Sequence, residues 1–456
     1  MPSILPDDSR RPRIVTPTGE PALPGEPAEP GPRILTPPGA TLEAPEDLPE
    51  YPALRPLEIL PLSDGGRDLV LVKDPMGIMP APVALRAEAL ELMALLDGTV
   101  SLADLTAEVV RGSQDLRAAG FVRDFVAQLD RMLMLDSPRF QAAHAEVRDA
   151  YHRLEIRQAT LGGLSYPEEP GTLAAFLDEH FAAAERMRAE AGEPLAPPEA
   201  SPRALLAPHL DPRRAGPAIA RAFLELGASG TPRRVVVFGV GHALHGDRLA
   251  LTRKHFETPF GRIECDTDFV DAVAAELGEV AYRSELVHRD EHSIEFQALY
   301  LKRRSGDRSI RMVPILCGGF HELLDDGRTP RDDPDFEALV RAVREAERRL
   351  PGPTLYLAGV DLSHVGPRFG DPAVDPRIVE EIEAKDRGAI EAARRGDADG
   401  WFQAIAAHED STRICGWAAT YALLRCAEPG QGRLLRYEHS REDDGSLVSI
   451  ASMVWP

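Results

Sequence analysis

The second half of the chain alternates short, continuously apolar runs with segments whose apolar residues have helical spacing. The run 234–238 reads Arg-Val-Val-Val-Phe, and the run 354–359 reads Thr-Leu-Tyr-Leu-Ala-Gly. Such runs are typical of strands buried on both faces of a parallel sheet. Their alternation with helices favours an α/β domain with a mainly parallel sheet flanked by helices. The predicted strands are 204–207, 234–238, 310–316 and 354–359, and the predicted helices are 214–227, 268–277, 293–304, 335–350, 377–395, 398–407 and 416–424, followed by a hairpin of 433–438 with 446–454.

The first 52 residues differ from this region, because they hold 14 of the 41 prolines and almost no aromatic residue. Such a segment buries too little apolar surface to offset its chain entropy, which predicts a disordered tail over 1–52. A short repeat at 12–19 and 32–39 is either part of this low-complexity tail or a pair of docking motifs. The length of 456 residues predicts two or three domains, and we divide the chain into 1–52, 53–140 and 141–456, with a core of 157–456.

The segment 53–140 has the pattern of a small folded module. It contains a predicted strand at 68–72, helical patterns at 84–96 and 122–135, and Ser101 as the N-cap of a further helix with Asp104 completing the capping box. Short strands and three helices predict a winged-helix module. The order of its motifs resembles the PqqD-like winged-helix domains, which implies a peptide partner; a packing or dimerisation module is the alternative. Alanine-rich helices are predicted for 142–159 and 172–191.

Composition excludes several classes of protein. A net charge of -22 disfavours binding to nucleic acid, and the arginines of 117–131 alternate with aspartates instead of forming a basic stripe. No apolar run reaches about 18 residues, so no membrane span is predicted. The start of the chain lacks the charged and apolar regions of a signal peptide, which predicts a cytoplasmic protein. Four scattered cysteines exclude a disulfide framework.

Three predicted strands run into segments that carry chemically reactive side chains. Ligands of open α/β folds bind beyond the carboxyl ends of the strands, so these segments predict a site with metal or acid–base chemistry. A fourth polar cluster, 288–295, contains His292 and Glu295, which share a helix face; whether they line the pocket or cap a helix stays open. The residues at the strand ends are His209, His242, Asp361 and His364.

Cys415 lies immediately before the predicted helix 416–424. Amide groups at a helix N-terminus favour a thiolate, and the neighbouring Arg413 is expected to assist. A single cysteine is otherwise a small buried apolar residue, and we assign that structural role to Cys265, Cys317 and Cys426.

Taken in order, eight segments resemble the Memo family, also called protein B of the AmmeMemoRadiSam system. The segments are 157–167, 206–209, 238–242, 258–261, 290–295, 313–316, 361–364 and 414–416. Memo proteins share the fold of class III extradiol dioxygenases, which hold non-haem iron. The resemblance implies a metal pocket formed by His209, His242 and Cys415, with Asp361 and His364 beside it as orienting or proton-transferring residues.

The resemblance also implies Fe(II) as the first choice of metal, with Cu or Zn as alternatives, and redox activity. It implies a radical-SAM protein and an AMMECR-type protein as partners. The chain departs from the family at three places: 210–212 reads Leu-Asp-Pro where many members have A-G-Y, 240–242 reads Val-Gly-His for P-S-H, and 161–163 reads Leu-Gly-Gly for H-A-G. The metal residues match, whereas the substrate-facing surface differs.

Three functions remain open on the sequence. The first is a metal-dependent oxidoreductase related to the non-haem iron dioxygenases. The second is a non-catalytic adaptor or peptide-binding protein on the same fold. The third is a zinc hydrolase, since the same ligands activate water on zinc.

Overall fold

The computed structural model describes residues 48–64, 67–194, 201–227, 232–306, 308–325 and 327–456. The repeat and most of the proline-rich segment predicted over 1–52 therefore lie outside the described residues. The chain divides into two compact units, Met1–Tyr151 and His152–Pro456. No helix of the described part of the chain has the length and apolarity that crossing a lipid bilayer requires.

The first unit contains a three-stranded antiparallel sheet in the order β1-β2-β3, together with four helices. Its strands are β1 (Glu58–Asp64), β2 (Arg67–Lys73) and β3 (Val83–Arg86), and its helices are α1 (Ala89–Met93), α2 (Leu102–Ser113), α3 (Ala118–Arg131) and α4 (Pro138–His152). The Ser101 hydroxyl accepts a hydrogen bond from the Asp104 amide at 3.1 Å, as the capping pattern predicts. The assignment to the PqqD-like winged-helix class, with the boundary at residue 140, stays a prediction.

Three helix predictions in this part of the chain are wrong at their ends. The helix predicted for 122–135 spans Ala118–Arg131, so it begins and ends four residues earlier. The segment 84–96 begins as strand, because Ala84 and Leu85 pair with β2 and are buried there, so that only Ala89–Met93 is helical. The helix predicted for 142–159 ends at His152. The residues that follow extend into the strand Ile156–Arg157, whose backbone pairs with a strand far along the chain.

The second unit is built on a nine-stranded sheet with helices on both faces. The strands of this unit, including two outside the large sheet, are β4 (Ile156–Arg157), β5 (Ala204–Ala207), β6 (Arg234–Val240), β7 (Leu249–Leu251), β8 (His255–Phe256), β9 (Glu264–Cys265), β10 (Arg311–Cys317), β11 (Thr354–Gly359), β12 (His364–Val365), β13 (Arg433–Arg441) and β14 (Leu447–Trp455). Its helices are α5 (Pro170–Glu190), α6 (Pro212–Phe223), α7 (Thr267–Leu277), α8 (His292–Ser305), α9 (His321–Asp325), α10 (Pro334–Arg349), α11 (Pro376–Arg394), α12 (Ala398–Ala406) and α13 (Trp417–Ala427).

The strand order of the large sheet is β12-β14-β5-β11-β6-β10-β7, with β13 paired to β14 and β9 to β10. β5, β11, β6 and β10 run parallel, while β7, β13 and β14 pair antiparallel with their neighbours. β4 and β8 form a separate parallel pair. The prediction of a mainly parallel sheet flanked by helices is confirmed.

Alternation along β6 shows why the apolar runs of the sequence are continuous. Val236 and Phe238 belong to one apolar cluster, with α7, α10 and α11 to α13, whereas Val235 and Val237 belong to the other, with α5, α6 and α8. Both faces of the strand are thus covered by helices, so both sets of side chains have to be apolar.

Candidate metal centre

The parallel strands β5, β6 and β11 end at the same level of the sheet. Gly359 pairs with Ala207 on one side and with Gly239 on the other. His209, His242 and Asp361 follow these positions within two or three residues. The register therefore brings together the three strand ends that the sequence singles out.

Two glycines let the first turn of α8 approach this edge. A Cβ atom at Gly359 would lie 2.6 Å from the carbonyl oxygen of Ser293, and a Cβ atom at Gly239 would lie 2.6 Å from the Ser293 hydroxyl. Any larger residue at either position forces the helix away from the sheet. The close approach places His292, the first residue of α8, beside the strand-end histidines.

The rings of His209, His242 and His292 pack against one another. Their centroids are 5.1 Å apart for His209 and His242, 5.0 Å for His209 and His292, and 4.8 Å for His242 and His292. The Cys415 sulfur lies 3.4 Å from His209 Nε2. Among the described residues, three groups each bring their possible metal-binding atoms within 4.8 Å of one another. These groups are His209/His242/Cys415, His242/Glu291/His292 and Asp361/His364/Cys415.

A fourth histidine, His364, lies beside Cys415. In each of the four histidines, the Nδ1 atom lies near a hydrogen-bond acceptor. His209 Nδ1 lies 2.9 Å from the Gly359 carbonyl oxygen, and His364 Nδ1 lies 2.9 Å from that of Leu362. His242 Nδ1 lies 3.0 Å, and His292 Nδ1 3.3 Å, from oxygens of Glu291. An acceptor at Nδ1 fixes the ring and the tautomer, which leaves Nε2 unprotonated to bind a metal ion.

Glu291 organises one side of this cluster, although it was not among the residues singled out in the sequence. Its carboxylate accepts the backbone amide of His242 at 3.0 Å and, as the N-cap of α8, that of Ser293 at 2.9 Å. Burial alone raises the pKa of this carboxyl, but the charge and hydrogen bond of His242 hold it well below its usual range. The available signal was an acidic residue two positions before the predicted helix 293–304, because acidic residues often cap helix N-termini.

The imidazoles differ in their affinity for protons. Burial lowers the pKa of His209 and of His292 to about 3, so both rings are neutral at physiological pH. For His242, burial also lowers the pKa, but the charge of Glu291 outweighs it and the pKa lies above its ordinary value. Neutral imidazole is the form that binds metal.

The Cys415 side chain differs from the expectation for a residue before a helix. Burial, reinforced by the Asp361 carboxylate, raises the pKa of the thiol well above its usual range, so the metal-free protein holds a thiol and not a thiolate. Arg413 does not assist, because its guanidinium binds Asp371 at 2.7 Å and the His364 carbonyl oxygen at 3.1 Å. The prediction of a thiolate supported by Arg413 is wrong for the metal-free chain.

Asp361 and His364 lie beside the donors, where the resemblance places them. Asp361 Oδ1 accepts the amides of His209 at 3.0 Å and Leu210 at 3.1 Å, and its Oδ2 lies 3.6 Å from His209 Nε2. Burial raises the pKa of this carboxyl and lowers the pKa of His364. The pair therefore places a carboxyl with a raised pKa and an imidazole with a lowered pKa next to Cys415.

Glu295, the second candidate of the cluster 288–295, is engaged away from the histidines. It is 1% exposed, forms an ion pair with Arg157, and accepts hydrogen bonds from the Tyr166 hydroxyl and the Leu161 amide. His288 is also buried, with Nε2 2.9 Å from the Ala250 carbonyl oxygen. Only His292 of the two candidates joins the cluster, and Glu295 anchors the segment that precedes α5.

The cluster is buried on one side and open on the other. The side chains of His209 and Asp361 are each 2% exposed, whereas those of His242 and His292 are 41% and 37% exposed. A ligand reaches the donor atoms from the side of the latter two rings.

Comparison with known proteins identifies the family. The model of the Memo-like protein family matches residues 157–454. A MEMO1 family protein of Aquifex aeolicus is 26% identical over 395 residues, which cover 85% of this chain and 96% of that protein. One of Thermus thermophilus is 29% identical over 316 residues (69% and 86% covered), and one of Methanopyrus kandleri is 30% identical over 259 residues (55% and 82%).

The alignment with the Aquifex protein is longer than the range of the family model, so it takes in part of the region before residue 157. The family model itself spans the whole sheet and every member of the histidine–cysteine cluster. This chain belongs to the Memo family.

Proposed function

We propose that the chain is a metal-dependent redox protein that holds one non-haem Fe(II) ion between His209, His242 and Cys415. The supporting observation is the convergence of these donors, with His209 and His242 each fixed at Nδ1 by a separate acceptor. Ordinary metal–ligand lengths separate a sulfur from a nitrogen across a tetrahedral ion by roughly 3.6 Å. The 3.4 Å between Cys415 Sγ and His209 Nε2 is compatible with one ion that binds both atoms.

The composition of the donor set bears on the identity of the ion. Imidazole nitrogen suits iron, copper and zinc, whereas a thiolate adds affinity for the softer ions. Bound Fe(II) or copper would supply one-electron chemistry at this position. Zinc would supply none, and it stays the alternative that would turn the same site into a hydrolase.

The protein's own residues supply positioning and proton transfer. Asp361 is held by two backbone amides, and burial raises the pKa of its carboxyl, which favours its taking up a proton. His364, whose Nδ1 is bound to the Leu362 carbonyl oxygen, presents its other nitrogen for proton exchange. We assign to these two residues the movement of protons to and from a ligand that enters beside His242 and His292.

The metal content of protein purified without oxygen tests the proposal. We expect about one iron or copper ion per chain in the wild type and none in the triple variant His209→Ala/His242→Ala/Cys415→Ala. The matched control is His408→Ala, which removes an exposed histidine and should keep the metal. Equal, near-zero metal in all three proteins contradicts the proposal and favours an adaptor. One zinc ion per chain without a redox response favours the hydrolase.

Metal affinity is expected to rise with pH. The thiol of Cys415 and the imidazole of His242 both have raised pKa values and have to be deprotonated to bind the ion, whereas His209 is already neutral. Each proton released on binding raises the affinity by about tenfold per pH unit. Competition with a chelator at three pH values between neutral and mildly alkaline measures this slope. The Cys415→Ser variant should reduce the slope, and a slope that this variant leaves unchanged contradicts the assignment of Cys415 as ligand.

We further propose that the protein acts with a radical-SAM protein and an AMMECR-type protein, and that residues 53–140 bind a peptide. Membership of the Memo family supports the first part, and the second rests on the resemblance of 53–140 to the PqqD-like domains. Partner proteins that co-purify with a tagged full-length chain are compared with those that co-purify with a chain lacking 53–140. The comparison shows whether this module recruits the partners. Unchanged recovery of partners after the deletion contradicts recruitment by this module.

A further inference from the structure

A cavity of about 510 Å³ lies at the amino ends of the parallel strands, the opposite end of the sheet from the metal centre. We call it the arginine pocket. Three of its lining residues are arginines, and the loop 351–353, Pro-Gly-Pro, forms one wall. The described residues that line it are Arg233, Arg234, Asp266, Ser309, Arg311, Pro351, Gly352 and Pro353.

The sheet itself holds the three arginines together. Arg311 of β10 pairs with Arg234 of β6, and the Arg311 amide donates to the Arg233 carbonyl oxygen at 2.9 Å. The amide of Arg233 donates to the Pro353 carbonyl oxygen at 3.1 Å. These backbone bonds fix the starting points of three long side chains around one cavity.

Arg234 is rigid as well as close. Its Nε donates to Asp266 at 2.7 Å, one terminal nitrogen donates to the Leu350 carbonyl oxygen at 2.8 Å, and its guanidinium lies 4.5 Å from the centre of the Phe269 ring. Asp266 is 4% exposed and also caps α7. The one carboxylate among the described lining residues therefore already pairs with Arg234.

Positive charge outweighs negative charge among the described residues of the pocket. Three arginines and one aspartate line it, and within the described residues neither Arg233 nor Arg311 has an ion-pair partner. Guanidinium groups gathered around one cavity repel one another, and an anion between them lowers that repulsion. This concentration of positive charge stands out in a chain whose net charge is -22.

We propose that the arginine pocket binds the phosphoryl group of a small phosphomonoester. Arginine forms paired hydrogen bonds to phosphate oxygens through its planar fork, and Ser309 adds a hydroxyl. The cavity falls within the volume range of small-molecule sites and exceeds what a free phosphate ion fills. The proposal is independent of the metal centre, because the two sites share no residue.

Calorimetric titration of the full chain tests the proposal with three probes: inorganic phosphate, adenosine monophosphate and adenosine. We expect saturable binding of the nucleotide, weaker binding of phosphate and none of adenosine. The variant Arg233→Ala/Arg311→Ala should weaken nucleotide binding by at least about tenfold, because it removes charge-assisted hydrogen bonds.

The matched control is Arg348→Ala/Arg387→Ala, which removes the same charge from arginines that are 73% and 71% exposed. It should bind like the wild type. Equal weakening in both double variants reduces the effect to net charge and overturns the proposal. The proposal is also overturned if neither phosphate-bearing probe binds at millimolar concentration, or if adenosine binds as tightly as the nucleotide. Arg233 and Arg311 are exposed, so the fold should survive their replacement, and unchanged tryptophan fluorescence checks this.

Discussion

Replacing Arg157 with alanine is expected to lower the free energy of unfolding of the second unit by about 3–5 kcal/mol. Arg157 is fully buried, and its ion-pair partner Glu295 is 1% exposed, so the variant leaves an uncompensated charge in the interior. The guanidinium also donates to the carbonyl oxygens of His288 at 3.0 Å and Glu291 at 2.9 Å. These carbonyls lose their partner too, and the segment that leads into α8 loses its support.

Denaturant unfolding followed by tryptophan fluorescence measures this effect in the right part of the molecule. All three tryptophans of the chain, Trp401, Trp417 and Trp455, are buried in the second unit, so their signal is independent of the first. The control is Arg331→Ala, which breaks an exposed pair with Asp399 and should cost less than about 1 kcal/mol. If both variants unfold at the same denaturant concentration, the buried pair contributes no more than a surface pair.

The Glu291→Gln variant is expected to bind metal about 10–100-fold more weakly than the wild type. The glutamate accepts from a histidine ring and from two backbone amides, whereas an amide side chain brings two donors of its own and loses the charge. One carbonyl oxygen then has to serve the His242 ring and both backbone amides, while the side-chain NH2 group faces donors. The tautomer of His242 is therefore held less firmly, and the His292 ring loses a charged neighbour. The donors remain in place but are less firmly oriented.

Chelator competition with Fe(II) or Co(II) measures the loss of affinity. Asp290→Asn is the matched control, because it makes the same change of charge at the neighbouring position, on a side chain that is 48% exposed and pairs with Arg289. Tryptophan fluorescence should show both variants folded. Affinity that falls equally in both would assign the effect to charge near the site instead of to the contact with His242.

The sequence predicts the secondary structure correctly where it depends on residues within one strand or helix. Short continuous apolar runs are typical of strands covered on both faces, and β6, β10 and β11 lie where these runs do. The helix prediction over 84–96 was wrong, because the partner strand β2 competes for Ala84 and Leu85. Local periodicity cannot register such competition, since the pairing residues belong to another element.

The residues of the candidate site were likewise predictable only in part. His209 and His242 follow strand ends, so a rule about strand ends finds them, and the family resemblance supplies Cys415. The sequence could not show that Glu291 and Glu295 have different roles, because the two lie four residues apart near one helix end and both are buried. Only the fold shows that one meets histidines and the other Arg157. The raised pKa of Cys415 likewise comes from burial, which no local pattern reports.

The distance along the chain between the donors has a consequence for how the protein is made. His209 precedes Cys415 by 206 residues. At ribosomal speeds of about 5–20 residues per second, roughly 10–40 s pass between the synthesis of the first donor and that of the thiol. During this interval the growing chain carries the imidazoles without the sulfur. An ion that requires the complete set is therefore acquired only after translation of the domain has nearly finished.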